Sequence, residues 1–509
     1  MALEFFNIQG LDSFDNPLQP NLDGQLIHAV NVVNFPQGAL SKRPGYTTFL
    51  GTPDNAQVNG LMWYPQQSSG TNLYLYRASG SQFYYSQQGT GAWTLVQGSS
   101  GGDAGGTIVT NSRMGGTTLN NVFICGDSGT TRHTTNGTVF TNTTGAPASP
   151  YWANFHQRVY AASGTQSAIV ACSAGDATNW NIGGTSNSYS QLIDGDGLVQ
   201  GLAVAGDRLV ITKNRGRMYE WDDTTLSDLA TNLGPTMPFA IGQIDDLLFY
   251  PNQLGIFSFD GATKNMLSNS VQRQFYNRQG SGISGTMFGT AGVGQGHLWD
   301  YLMTEGTITD DFTGRTINNA LLKYDYQKNT FLNWQFNDFP TAMLSYIDQN
   351  NIKQLIFGNS SGQCFQLTPT ATSDNGKAIE SEAVFVFSYA SQSTAFSPTS
   401  AQTSSGITWE KKWNWWRGFF NPGCELNIQF AFSNTLTYQH LTWSEVLNIK
   451  PNARGFYWQE SDGKVELRFP DNENNPRRST FLFIRVYEMS DSASWTYYGC
   501  QIDAEPIAK

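Results

Sequence analysis

The segment GALSKRPGYTTFL, residues 38–50, places a lysine and an arginine side by side in front of a Pro-Gly pair. Gly38 and Pro44-Gly45 are typical of turns on either side of a short strand. The AVNVV segment just before it is expected to pair with that strand as a hairpin. The sequence therefore predicts a strap that leads into the first large domain.

Three interpretations of Lys42 and Arg43 compete: an anion site, a processing site, or the polar face of this strap. No other bases cluster nearby in the sequence, which weakens the anion site. The segment alternates like a strand, which disfavours an exposed processing site. We therefore interpret both residues as interface residues on the polar face of the strap, facing acids of a neighbouring subunit.

The composition of the 509 residues is typical of many short strands joined by tight turns. Glycine occurs 52 times, aromatic residues make up 13% and charged residues only 14%, against a usual charged share of about 25%. Glycine supplies the backbone angles that turns need, and aromatic rings cover pleated faces. Helical periodicity is almost absent, so the expected fold class is all-β.

The charge and the cysteines exclude several function classes. Forty acids against 29 bases give a net charge of −11, which disfavours nucleic-acid binding because that affinity depends on clustered Lys and Arg. The five cysteines include no CxxC pair, so neither a zinc ribbon nor a disulfide framework is expected. The N-terminal MALEFFNIQG lacks the features of a signal peptide, and no apolar run is long enough for a membrane helix.

A hairpin unit recurs along the chain, in which two short apolar strands flank a polar, Gly-rich turn. Its copies occupy residues 72–88, 120–140, 156–172, 206–221, 245–261, 320–334 and 353–367. Propeller blades of four strands repeat every ~40–50 residues, and a closed ring hides sheet edges. We predict a β-propeller of six or seven blades at 51–370, preceded by an N-terminal strap and hairpin at 1–50.

A second strand-rich region follows the propeller. Residues 371–410 are expected to form a linker or arm, with a Ser/Thr/Gln-rich stretch at 389–406. Four alternating segments then predict a small, jelly-roll-like β-sandwich at 411–509. In that domain Trp413 and Trp415 are expected to share the core face of a strand, which leaves Trp416 on the opposite face as a candidate interface residue.

The search for chemistry predicts no catalytic, metal or cofactor residue. The DGDG segment at 194–197 lacks the glutamate of a calcium loop, so we interpret it as a polar turn. The five histidines show no metal-ligand spacing, and a structural role is expected for each. Two Ser-to-Trp octapeptides, at 86–93 and 173–180, lack the Asp and Gly of sialidase repeats and are interpreted as turns capped by a tryptophan.

Several segments together resemble a known family. They are FFNIQGLDSF, AVNVV and the G-x-L-x-K-R-P-G-Y strap near the N-terminus, HQRVYAASGTQSAIVACSAGDATNW from residue 156, and RVYEM with WTYYGCQIDAEP near the end. The chain resembles the β-propeller tail proteins of tailed bacteriophages. It is most similar to the tail-hub, nozzle or packaged-DNA-stabilisation proteins of short-tailed phages.

The resemblance implies a structural, non-enzymatic virion protein that requires no cofactor. Copies of the chain, six in number, would form a ring below the portal and its adaptor proteins. The ring would continue the DNA channel, retain packaged DNA and pass it during ejection, and tail fibre or spike proteins would be further partners. Double-stranded DNA would pass through without sequence-specific binding, and assembly would take place in the host bacterial cytoplasm, without membrane insertion.

Two alternatives remain open on the sequence. A carbohydrate-binding propeller acting as a host-receptor adhesin would use exposed Trp and Tyr residues to stack on sugars. A propeller hydrolase would need two facing carboxylates in a central pocket. For the favoured function, an acidic lumen would repel DNA phosphates and keep the conduit from gripping DNA.

Overall fold

The computed structural model describes residues 11, 25–34, 39–66, 72–100, 102–184, 187–195, 197–213, 216–230, 233–244, 246–271, 285–290, 298–310, 312–326, 328–387, 410–421, 425–449, 458–459, 464–469, 478–491 and 494–506. Within these residues the fold is all-β, as expected. Helical structure there is limited to Gly216 and the short 3₁₀ turns Pro238–Ala240, Ser268–Val271 and Tyr438–His440. None of the helices in this part of the chain is long and apolar enough to cross a membrane. The segment 389–406 lies outside the described residues.

The N-terminal region contributes four strands that serve two different domains. They are β1 (Gln25–Val30), β2 (Val32–Val33), β3 (Leu40–Lys42) and β4 (Gly45–Thr48).

Seven blades of mainly antiparallel strands follow; six are separate small sheets, and blade 6 is part of a larger, nine-stranded sheet. Blades 1 and 2 contain β5 (Val58–Gln66), β6 (Asn72–Ser79), β7 (Gln82–Gln87) and β8 (Thr94–Leu95), then β9 (Gln97–Gly98), β10 (Gly115–Leu119), β11 (Val122–Gly126), β12 (Thr131–Thr134) and β13 (Val139–Asn142). Blades 3 and 4 contain β14 (Trp152–Phe155), β15 (Arg158–Ala162), β16 (Ala168–Ala171), β17 (Tyr189–Leu192), β18 (Val199–Ala205), β19 (Arg208–Lys213), β20 (Arg217–Trp221) and β21 (Leu226–Ala230). Blades 5 to 7 contain β22 (Gly242–Ile244), β23 (Leu247–Pro251), β24 (Ile256–Phe259), β25 (Lys264–Met266), β26 (Gly285–Thr290), β27 (Leu298–Thr309), β28 (Thr316–Asp325), β29 (Thr330–Gln335), β30 (Ala342–Ile347), β31 (Lys353–Gly358) and β32 (Cys364–Thr368).

The seven blades form a closed propeller. Consecutive blades contact each other around the ring, mostly through their innermost strands; between blades 4 and 5, β18 contacts β23, and β30 of blade 7 contacts β5 of blade 1. Blade 7 takes its fourth strand from the N-terminus, because β4 pairs antiparallel with β32. The strap therefore closes the ring by joining the first and last parts of the propeller, which removes two sheet edges.

The C-terminal domain is a sandwich of two sheets. Its remaining strands are β33 (Ser381–Phe387), β34 (Lys411–Phe420), β35 (Leu426–Ser433), β36 (Leu447–Ile449), β37 (Trp458–Gln459), β38 (Lys464–Arg468), β39 (Arg478–Ser479), β40 (Phe481–Glu488) and β41 (Thr496–Pro506). One sheet has the order β1-β33-β40-β35-β36, and the other has the order β2-β3-β41-β34-β38-β37. Buried side chains from both sheets meet in one apolar core, which includes Phe385, Trp413, Phe430 and Tyr497.

The sandwich is built from both ends of the chain. Strands β1 to β3 come from the region predicted as a strap at 1–50, and β33 comes from the region predicted as a linker at 371–410. The alternating segments placed the start of the sandwich at 411, because strands β34 to β41 follow one another in sequence after that residue. The long-range pairs β1·β33 and β3·β41 were not visible as a local pattern.

A single continuous sheet joins the sandwich to the propeller. Strand β1 pairs with β29 of blade 6 in parallel and with β33 in antiparallel orientation, so nine strands run from β26 at the axis to β36. The link to β29 is short, with the register Val30↔Asn333 and a hydrogen bond from the Asn31 amide to the Asn333 carbonyl, 2.9 Å. The two domains therefore share backbone pairing as well as an apolar core.

A buried charged cluster stabilises this junction. His28 on β1 lies 2.8 Å from Asp310, in the hairpin between β27 and β28, and 4.0 Å from Glu382 on β33. Glu382 also pairs with Arg485, 2.8 Å, and with Arg315, 3.0 Å. Burial alone would lower the pKa of His28, but attraction and hydrogen bonding to Asp310 outweigh it, and the pKa of His28 is raised above its ordinary 6.5.

The cluster makes the stability of the junction depend on pH. Because the pKa of His28 is higher in the folded protein, its contribution is present below about pH 6.5 and is lost as the pH rises through the folded value. For Asp310, burial raises the pKa, but His28 and the Thr313 hydrogen bonds outweigh this and lower it to about 2. The Asp310 contribution is therefore present above its ordinary 3.8 and is lost only as the pH falls towards 2.

We predict that His28→Gln lowers the free energy of unfolding by about 1.5–3 kcal/mol between pH 4 and 6. The difference from the wild type should shrink as the pH rises above 6.5, because the unfolded chain then loses the His28 proton that the folded protein still has to bind, until the pH passes the raised pKa of the folded state. Urea unfolding at several pH values would measure this. The exposed His440 provides the control, since His440→Gln should change stability by less than about 0.5 kcal/mol. A His28→Gln effect that does not change with pH would contradict the charged state of His28.

Candidate functional site

Arg43 is fully buried and binds acceptors from three parts of the chain. Its Nη1 and Nη2 atoms donate to the two carboxylate oxygens of Asp374, at 2.8 and 2.7 Å. Nε donates to Asn31 Oδ1, and the remaining Nη hydrogens go to the carbonyls of Pro44 and Gln335. All five N–H groups of the guanidinium therefore have an acceptor, which is the condition for burying this charge.

The partners of Arg43 explain why a base is needed at this place. Asn31 belongs to the sandwich, Gln335 ends β29 of blade 6, and Asp374 follows blade 7. The guanidinium also stacks on Phe336, with its carbon 4.7 Å from the ring centroid. Arg43 thus joins the sandwich to the last two blades at the point where the ring closes.

Lys42, the other base of the strap, is also buried. Its Nζ donates to Glu488 Oε2, 2.7 Å, and to the Ser490 carbonyl, 2.8 Å, at the end of β40. The acids that pair with Lys42 and Arg43 therefore belong to the same chain, and we correct their assignment from subunit-interface residues to residues of the intramolecular core. Alternation along the strap indicated a polar face but could not show that this face is covered by distant segments of the same chain.

Trp416 has a different position from the one that strict alternation predicts. The pairing of β34 with β41 passes directly from Trp413↔Ala504 to Trp415↔Asp503, so Asn414 is an extra residue in a β-bulge. The bulge brings Trp413 and Trp416 into the core, both fully buried, and leaves Trp415 half-buried beside Arg417. Trp416 is thus a core residue of the sandwich and not an interface residue. Trp415 takes the outward position that was expected for Trp416.

The strands around the propeller axis carry no charge. The innermost strands β5, β10, β14, β18, β22, β26 and β30 contain no Asp, Glu, Lys or Arg residue. The acidic residues of the chain therefore lie outside these innermost strands.

Seven of the 40 acidic residues lie in the turns at one end of the blades. Within a blade, the turns between the first and second strands and between the third and fourth strands lie at the same end, and we call this end of the propeller the turn face. Along the ring, first-second turns contact the third-fourth turn of the next blade. Examples are Asn120 Nδ2 to the Gly175 carbonyl, 2.9 Å, and His156 Nδ1 to Asp223 Oδ2, 3.3 Å.

The turn face is acidic. Its described residues include seven aspartates and one lysine, Lys328. The aspartates are Asp176, Asp207, Asp222, Asp223, Asp246, Asp260 and Asp348.

Turn chemistry explains four of these acids. Asp222 Oδ1 accepts hydrogen bonds from the amides of Thr224 and Thr225, at 3.0 and 2.7 Å. Asp260 caps the turn of blade 5 in the same way, and Asp176 and Asp348 cap their own turns. Aspartate suits these positions because its side chain accepts from amides two and three residues ahead.

Capping also lowers the pKa of two of these carboxylates. Hydrogen bonds from Thr224 and Thr225 lower the pKa of Asp222, and amides of Thr263 and Ala262 lower the pKa of Asp260. Both side chains therefore stay ionised at neutral and mildly acidic pH. The same feature gives the turns their shape and the face its charge.

One cluster on the turn face joins blades 3 and 4. His156 lies between two carboxylates, with Nε2 2.5 Å from Asp207 and Nδ1 3.3 Å from Asp223. Asp223 also accepts hydrogen bonds from the hydroxyls of Tyr160 and Tyr189. The turns that hold His156, Asp207 and Asp223 are separated in sequence, so residue spacing did not predict this cluster. The only local feature is the positive φ of His156 and Asp223, which is typical of tight turns.

Two of the motifs that we interpreted as turns have structural roles. In the DGDG segment, the carbonyls of Asp194 and Gly195 accept from Lys213 Nζ at 2.9 and 2.6 Å, so a lysine ammonium occupies the place where a cation could bind. In the second octapeptide, Trp180 is buried and donates to the Ala177 carbonyl, 2.8 Å. No group of metal ligands occurs in the part of the chain that the structure describes. The four described cysteines, Cys125, Cys172, Cys364 and Cys500, are buried and form no disulfide with one another.

No protein-family model and no curated protein matches the chain. Solved structures do match it. The BBS1N–ARL6DN complex gives a TM-score of 0.42 at 9% identity, covering 64% of this chain and 98% of that chain. YCF48 from Cyanidioschyzon merolae gives 0.42 at 8%, covering 64% and 99%, and the WD40 propeller domain of Doa1 gives 0.36 at 9%, covering 64% and 97%. These scores lie below 0.5, and the assignment as a propeller rests on the strand pairing described above.

We predict that Arg43→Met lowers the free energy of unfolding by about 3–5 kcal/mol, because it leaves the buried Asp374 carboxylate without its partner. Chemical denaturation monitored by tryptophan fluorescence would measure the change. Lys377→Met is the control, since Lys377 is an exposed residue 4.0 Å from Asp338, and its loss should cost at most about 1 kcal/mol. Equal effects of the two substitutions would argue against the role of Arg43 in ring closure.

The bulge at Asn414 gives a second prediction. Trp416→Ala should destabilise the protein by about 3–5 kcal/mol, because it opens a cavity in the sandwich core. Trp415→Ala should cost less than about 1.5 kcal/mol, because that side chain is only half-buried. Thermal unfolding of the two variants would compare them, and the reverse order of stabilities would show that the register is the strictly alternating one.

Proposed function

We propose that this chain is a structural virion protein of a tailed phage. Copies of it would form a ring-shaped tail hub or nozzle that continues the DNA channel below the portal and adaptor. The ring would retain packaged DNA and pass it during ejection. The role requires no catalysis, and its partners would be further copies of the chain, portal-adaptor proteins and tail fibres or spikes.

The acidic turn face is the observation that carries the proposal. A conduit must pass DNA without holding it, and carboxylates that remain ionised repel phosphates. The caps at Asp260 and Asp348 keep that charge in fixed positions on rigid turns. We therefore place the turn face towards the lumen of the ring.

The way in which the two domains are joined supports the same role. The nine-stranded sheet extends from the propeller axis through blade 6 into the sandwich, and the buried Arg43 and His28 clusters hold the two domains together. A subunit of a conduit under internal pressure needs domains that do not separate. Backbone pairing across the junction provides that resistance.

The test compares two sets of substitutions that change the charge equally. In virions assembled with Asp246→Asn, Asp260→Asn and Asp348→Asn, the ejected fraction of DNA should fall, because the lumen repels phosphates less. The control carries Thr165→Lys, Gln253→Lys and Ser360→Lys, on exposed turns at the opposite end of the blades. This set also adds three positive charges and should leave ejection unchanged.

Electron microscopy provides the positional part of the test. Images of the purified protein mixed with virion tails should show a ring on the tail axis with the turn faces directed inwards. Free monomers without tail density, together with binding to glycans, would favour the sugar-binding alternative. A ring with its turn faces outwards would contradict the role of the acidic face.

A further inference from the structure

Two ion pairs lie side by side at the turn-face end of blade 6. Lys323 on β28 and Asp300 on β27 are 3% and 0% exposed, and Lys323 Nζ lies 2.9 Å from Asp300 Oδ1. Asp325, 1% exposed, has its Oδ2 atom 3.8 Å from Lys328 Nζ. Burial lowers the pKa of Lys328; Asp325 acts against this, Lys323 adds to it and Asp300 acts against it. The four charges therefore form one cluster.

The ammonium of Lys323 has fewer acceptors than other buried bases of the chain. Lys213 Nζ has four oxygen acceptors within 3.4 Å, and Arg43 uses all five of its N–H groups. Among the described residues, only Asp300 gives Lys323 Nζ a polar contact, and the atom also lies 5.8 Å from the centroid of the Trp334 ring. A buried ammonium with unused N–H groups is costly, so hydrogen bonding does not account for this pair.

A second carboxyl group lies beside the Lys323–Asp300 pair. In the register of β27 with β28, Asp300 is paired directly with Asp325, and Leu302 is paired with Lys323. Side chains paired in this way have Cβ atoms about 4.5–5.5 Å apart and share one face of the sheet. The Oδ1 atom of Asp325 accepts from the Lys328 amide, 3.0 Å, which holds the side chain in place. An amine nucleophile, an acyl carbon and a group for general acid–base transfer are thus brought together.

We infer that Lys323 and Asp300 form an amide bond, which is an intramolecular isopeptide cross-link between β27 and β28. Asp325 accepts a proton from the ammonium, and the lone pair of Nζ then attacks Cγ of Asp300. The C–N bond forms and one C–O bond breaks, and the oxygen leaves as water with the two protons that Nζ gives up. Asp325 returns to its ionised state, and the step requires no oxidant, reductant or co-reactant.

Burial favours this condensation. In water, hydration stabilises a carboxylate and an ammonium against the amide, whereas inside the blade that hydration is lost and the amide carries no charge. The fold also holds the two groups in contact, so the reaction proceeds at a high effective concentration. The inference does not depend on the proposed function. The cross-link adds a covalent bond to the nine-stranded sheet that joins the two domains.

Mass spectrometry of the intact, denatured full-length protein tests the inference. The measured mass should be lower than that of the expressed sequence by one water molecule, and digestion should yield a branched peptide that joins Lys323 to Asp300. A mass equal to that of the sequence would overturn the inference. A water loss that maps to a succinimide at an Asp-Gly sequence, such as Asp260-Gly261, would overturn it as well.

Two substitutions and a matched control locate the reaction. Lys323→Arg keeps a positive charge but cannot form the amide, so this variant should show the full mass. Lys264→Arg on β25 of blade 5 is the control and should retain the water loss. In newly synthesised, pulse-labelled protein, Asp325→Asn should form the link at least about 100-fold more slowly than the wild type. Water loss in Lys323→Arg would overturn the cross-link, and a wild-type rate in Asp325→Asn would overturn the acid–base role of Asp325.

Discussion

The buried pair of Arg43 and Asp374 is the interaction on which the rest of the structure depends. It forms where the sandwich, the end of blade 6 and the closing strand of blade 7 meet. A charge in this position is costly unless every donor is used, and here every donor has an acceptor. The pair therefore selects one arrangement of the three parts, since a shift of any part would leave a buried charge unsatisfied.

Much of the fold could be predicted from the sequence because its signals are local. Alternation and Gly-rich turns indicate each hairpin, and their number indicates a propeller. The sandwich strands β1 and β33 were missed because pairs between distant segments leave no local pattern. Trp416 was misplaced because a single extra residue, Asn414, reverses the faces of the strand after it. Sequence alone gave the charge of Lys42 and Arg43 but not the location of their partners.

The acidic turn face shows how structural and functional explanations can coincide. Each capping aspartate has a local reason for its position, since one carboxylate oxygen completes a turn. The net charge of −11 is therefore partly a consequence of building many tight turns. The proposed function would determine how this face is oriented in the ring, because the carboxylates affect DNA only if they face the channel through which DNA passes.

The closing strand also has a consequence for biosynthesis. Arg43 and Asp374 are 331 residues apart, so on a ribosome adding ~5–20 residues per second the strap waits about 15–65 s for its partner. The sandwich waits longer, since β3 pairs with β41 near the end of the chain. During that interval the early blades exist as an open arc with two unpaired ends. Synthesis of β32 and Asp374 thus allows the open arc to close into a ring, whereas the sandwich is completed only once β41 has been made. Truncation near the C-terminus would therefore leave a closed propeller attached to an unfinished sandwich, with β3 lacking its partner strand.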